Sequence, residues 1–139
     1  MNSKFNLYFA MTMMAMASPA LAHGDEPLKD NITPAFRHAL PNAPGKVISS
    51  AVVEYQPGQQ SPSHRHGDAF VVAYVLEGAI KSGVNGAPAK VYKAGESWTE
   101  QPGDHHTVSA NASDTEPARL LAIFIADKGQ KELVTFDKP

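Results

Sequence analysis

Proline and glycine interrupt this chain too often for long helices. The sequence holds 11 Pro and 10 Gly in 139 residues. Proline removes a helix hydrogen bond, glycine costs about 1 kcal/mol inside a helix, and no window sustains a 3.6-residue apolar period. Between the breakers lie short apolar and β-branched runs: Val47 to Tyr55, Ala69 to Leu76, Ala79 to Val84, Ala89 to Tyr92, Trp98 to Glu100, His106 to Ala110, Arg119 to Ala126 and Leu133 to Phe136. Asn85-Gly86 is a strong two-residue hairpin turn. Short strands with turn chemistry between them predict an all-β sandwich or closed barrel, and closure removes exposed strand edges. Val71, Ala73 and Val75, with Leu121, Ile123 and Ile125, alternate as barrel-lining positions should. Of the aromatic residues Trp98, Tyr74, Tyr92 and Phe124, most are expected in the core, with one or two walling a ligand pocket.

The first residues read as a targeting segment. Lys4 supplies a positive start, Phe5 to Ala17 is largely apolar, Ser18-Pro19 breaks the run, and Ala20-Leu21-Ala22 offers small residues to a signal peptidase. The expectation is a signal peptide over 1–22 and a periplasmic or secreted protein. The apolar stretch is short for a bilayer, which needs about 20 residues, and no later segment qualifies, so no membrane contact is expected after cleavage. Residues 23–45 read as a polar, proline-dotted arm with one edge strand near Ile32 to Leu40, and 46–139 as one folded domain. With no cysteine, disulfides cannot hold an exported fold together. The core must do so, helped by a metal or a partner subunit. The net charge of −2 and the lack of a basic stripe exclude nucleic acid as an expected partner.

His64-Arg65-His66 and, later, His105-His106 carry the chemistry. On a strand, residues two apart share a face, roughly 7 Å apart at Cα. Both imidazoles of the first pair can therefore turn onto one ion, and a third from another strand would complete a facial set. Imidazole suits zinc, copper, iron and nickel. His105 and His106 face opposite ways on a strand, so only one should enter a barrel.

Gly58-Gln59-Gln60-Ser61-Pro62-Ser63-His64-Arg65-His66, followed by Tyr74-Val75-Leu76-Glu77-Gly78, resembles the first motif of the cupin family. Gly95, Pro102-Gly103, His106 and Asn111 resemble the second. The likeness covers about Val47 to Ala126. It implies a small single-domain cupin: a double-stranded β-helix, a jelly-roll-like barrel often paired as a homodimer. It implies His64, His66 and His106 as ligands of a divalent transition metal (Fe, Mn, Ni, Cu or Zn). The family's fourth ligand, a glutamate seven residues before the closing glycine, falls on Val71. Members with three histidines alone bind iron and cleave carbon–carbon bonds, so the gap does not remove the site. Asp68, two residues past His66, and Glu100, sharing a strand face with Trp98, are the candidates to compensate, as fourth ligand or general base. The resemblance implies a metal-dependent dioxygenase acting on a small aromatic or diketone substrate; Glu100, read from its place beside Trp98 and the turn before His106, is the candidate catalytic carboxylate. The alternatives are a non-catalytic small-molecule binding or sensing module, and a metal-dependent isomerase or lyase with Glu100 as its base.

Overall fold

The computed structural model describes residues 31–138. The expected signal peptide over 1–22, and the arm up to residue 30, lie outside the described residues. Among those described, eleven strands form: β1 Ile32–Ala39, β2 Lys46–Tyr55, β3 Gln60–Ser61, β4 His64–Arg65, β5 Phe70–Glu77, β6 Ala79–Val84, β7 Lys90–Lys93, β8 Ser97–Glu100, β9 His105–Asn111, β10 Ala118–Asp127 and β11 Thr135–Phe136. They build two antiparallel sheets. One runs β1-β2-β10-β5-β8. The other runs β11-β4-β9-β6-β7, with β3 also pairing β9. This is the double-stranded β-helix that the motifs imply. The edge strand expected near Ile32 to Leu40 is β1.

Turn chemistry sets the frame. Asn85 and Gly86 both adopt positive φ, 55° and 74°, the pair of values a type I′ hairpin turn requires, and they join β6 to the loop leading to β7. Gly78 links β5 to β6 and so carries the chain from one sheet to the other. Its φ is 69°, and a Cβ there would lie 2.5 Å from the Pro117 carbonyl oxygen. Only glycine fits both the dihedral and the space.

The core lies between the sheets. From β5 it takes Val71, Ala73 and Val75, as expected, and from β6 Ile80. On β10 the expected phase is reversed. Leu120, Ala122, Phe124 and Ala126 point inward and are buried, whereas Leu121, Ile123 and Ile125 lie half-buried on the outer face. A central strand that is apolar at both parities satisfies either alternation. The register against β2 and β5, which sets Ala122 opposite Ala51 and Ala73, decides between them.

Candidate metal centre

Strand register brings the three histidines together. His64 on β4 and His106 on β9 are direct cross-strand partners, so their side chains leave the sheet on one face. His66 follows two residues after His64 and shares its side. Their potential ligand atoms lie within 4.8 Å of one another, and all three residues are buried. Ring centroids are 4.9 Å apart for His64 with His66, and 4.9 Å for His64 with His106.

Backbone and hydroxyl groups orient the rings. His64 Nδ1–H donates to the Pro62 carbonyl at 2.8 Å, and His66 Nδ1–H donates to the Leu133 carbonyl at 2.6 Å. That tautomer leaves each Nε2 with its lone pair free, as a ligand nitrogen needs. His106 Nε2 meets Ser82 Oγ at 2.9 Å, while its Nδ1 faces Glu100 Oε1 at 3.2 Å. Burial lowers the pKa of all three rings, that of His106 to about 3, where its two neighbouring histidines add to the effect. At neutral pH the rings are uncharged, the state that binds a cation.

Glu100 is a buried carboxylate beside this cluster, facing His66 and His106. It is 2% exposed. Trp98 Nε1–H donates to its Oε1 at 3.1 Å, and Oε2 has no hydrogen-bond partner. Burial raises its pKa, opposed by the Trp98 bond and by His64. Asp68 does not reach the site. β4 ends at Arg65, Gly67 turns the chain with a φ of 58°, and Asp68 is exposed in that turn. His105 bonds Asp137 at 2.7 Å outside the cluster, and His38 is exposed on β1.

A cavity of about 220 Å³ opens over these groups. Val53, Leu120, Phe124, Trp98, Leu133 and Phe136 wall it, and Tyr55, Ser61 and Ser109 contribute hydroxyls. The Tyr55 hydroxyl is bound to Ser61 Oγ at 2.6 Å and to Ser109 Oγ at 2.8 Å, so these polar atoms are partnered. No Lys or Arg lines the cavity among the described residues. Sequence reasoning finds the histidines, Glu100, Trp98 and Phe124. It misses Ser82, whose alternation with Ile80 on β6 is a readable signal, and Leu133 and Phe136, whose place depends on the β11–β4 pairing.

Fold and site together define a small antiparallel β-barrel with a buried three-histidine group suited to a metal ion. Residues 51–124 match the family model described as cupin domain, more than half the chain, and the chain belongs to that family. It is 30% identical over 104 residues to Germin-like protein 1-1 of Oryza sativa subsp. japonica, covering 72% of this chain and 47% of that protein. Oxalate oxidase in complex with the substrate analogue glycolate superposes with a TM-score of 0.55 at 25% identity, over 64% of this chain and 45% of that one. The chain thus spans about half the length of these two relatives. An uncharacterised double-stranded β-helix protein from Klebsiella pneumoniae superposes with a TM-score of 0.54 at 20% identity, over 77% of this chain and 86% of that one.

Proposed function

We propose that this cupin is exported, after removal of residues 1–22, and acts as a metal-dependent dioxygenase. His64, His66 and His106 hold the ion. The substrate is a small, largely apolar enolate or phenolate, such as a β-diketone or a flavonol. The observation that carries this reading is an apolar, aromatic-walled cavity set directly over a neutral histidine cluster. The likeness to oxalate oxidase supports oxidative chemistry in general. The wall argues for a different substrate. The cavity lining is mostly aliphatic and aromatic, with no Lys or Arg among the described residues, which favours a substrate that carries apolar surface beyond the group that meets the ion.

The donor set fits a divalent ion, because three neutral imidazoles suit first-row transition metals. A redox-active ion bound there would bring an anionic substrate and O₂ together. O₂ is the oxidant and both its atoms end in the cleaved product, so no external reductant is needed. The chain's own residues do the rest. Phe124, Trp98 and Phe136 offer flat faces to the ring or enolate plane. The apolar wall excludes water, and Leu133 and Pro62 hold two imidazoles in the ligand tautomer through their carbonyls.

The test is oxygen uptake by mature protein loaded with iron, manganese, nickel or copper and offered flavonols and β-diketones. Uptake with oxygen incorporated into a cleaved product is expected. No uptake by metal-loaded protein with any pairing would overturn the reading, and a ligand released unchanged would point to a binding module instead. A second reading, a metal-dependent isomerase or lyase, draws on the buried Glu100, its pKa raised, as a general base. Turnover without oxygen consumption would favour it.

A further inference from the structure

Resting on the reading that the histidines hold an ion, we infer that Glu100 is its fourth ligand, delivered from β8 to the place left empty by Val71 on β5. The two positions are direct cross-strand partners: Val71 pairs with Glu100 in the β5–β8 register. Opposed residues of an antiparallel pair project from the same face, with Cβ atoms about 4.5–5.5 Å apart. A carboxylate moved from one to the other therefore still reaches the same interior point. Both residues are almost fully buried, at 1% and 2% exposure. Valine fills the vacated position with apolar bulk, and the charge stands one strand over.

Three further observations point the carboxylate at an ion. Glu100 Oε2 is buried without a hydrogen-bond partner, and such a group is costly to leave unsatisfied. It lies 3.4 Å from His66 Nε2, the nitrogen that carries a lone pair because Nδ1–H is given to Leu133. Two facing acceptors at that distance need a cation or a shared proton between them. The distances also suit coordination. Ligands each about 2.0–2.2 Å from one ion lie about 3.0 Å apart at right angles and about 3.4 Å apart at the tetrahedral angle. The two carboxylate oxygens share these spacings: Oε1 stands 3.2 Å from His106 Nδ1, and Oε2 stands 3.4 Å from His66 Nε2. An anionic fourth ligand lowers the net charge of the centre and favours harder divalent ions over what three imidazoles alone would bind.

The experiment measures Co²⁺ affinity by chelator competition, together with the visible spectrum of the bound ion. It compares the mature protein, Glu100→Gln, Glu100→Asp, the exchange variant Val71→Glu/Glu100→Val and His64→Ala/His66→Ala. Glu100→Gln is expected to bind at least about tenfold more weakly with an altered spectrum. Glu100→Asp, which keeps the charge but withdraws the oxygens, is expected to weaken binding too. The exchange variant is expected to recover most of the affinity. Binding by Glu100→Gln within about threefold of the parent, a difference of less than about 1 kcal/mol, or with an unchanged spectrum, overturns the assignment while leaving the histidine site standing. An exchange variant no tighter than Glu100→Gln also overturns it. If the parent binds Co²⁺ no better than His64→Ala/His66→Ala, the metal site itself falls, and this inference with it.

Discussion

Replacing Trp98 by Phe tests whether one indole N–H holds the buried carboxylate. Trp98 Nε1–H to Glu100 Oε1, at 3.1 Å, is the only hydrogen bond reaching that carboxylate among the described residues. A hydrogen bond to an ionised group contributes about 1.5–3 kcal/mol, against about 0.5–1.5 kcal/mol for a neutral pair. Phe retains contact with Tyr92, whose ring centroid lies 4.9 Å from that of Trp98, but it is smaller. The single variant therefore mixes a lost donor with lost packing. A double-mutant cycle with Glu100→Leu separates the two. By urea denaturation of the metal-free protein at pH 8, the expected coupling energy between the sites is about 1.5–3 kcal/mol. Burial raises the Glu100 pKa, so on acidification this carboxyl protonates before an ordinary glutamate does. The coupling should then fall toward about 0.5–1.5 kcal/mol. A coupling below about 0.5 kcal/mol at pH 8, which is within ordinary additivity error, would refute the reasoning: Glu100 would be satisfied in some other way.

Three further outcomes are expected. Ser82→Ala frees the His106 Nε2 that Ser82 Oγ meets at 2.9 Å, and chelator competition should show metal affinity falling about 10–100-fold with the fold retained. The metal-free protein should lose stability as the pH drops from about 6.5 toward about 3. In that window the unfolded histidines bind protons that the buried His64, His66 and His106 resist. The raised pKa of Glu100 works against this trend near its own titration, but three groups outweigh one. A melting temperature independent of pH across the window would contradict the burial of neutral rings. Gly78→Ala places a Cβ against the Pro117 carbonyl at a φ of 69° and should destabilise by about 1–3 kcal/mol, read as a lowered urea midpoint.

Much of the fold was legible because its signals are local. Turn residues at Asn85-Gly86 and Gly78, and β-branched runs between them, announce strands without reference to distant sequence. The histidines were legible for a related reason: a spacing of two on an extended segment already places two rings on one face. What could not be read was register. That Val71 stands opposite Glu100 depends on pairing between segments far apart in the chain, and a slip of one residue would send the carboxylate to the other face. The phase of β10 was hidden because Leu120, Phe124, Leu121 and Ile125 offer two equally apolar faces. Asp68 was a fair candidate only if β4 ran on, and the positive φ of Gly67 stops it.

The bond from His66 to the Leu133 carbonyl joins positions 67 residues apart, and this sets a time at which the site can mature. A nascent chain that has emerged only through both histidine motifs has all three rings but lacks the carbonyl that selects the tautomer of one of them. An ion bound by the three rings would therefore be held in its final geometry only once β11 has paired with β4.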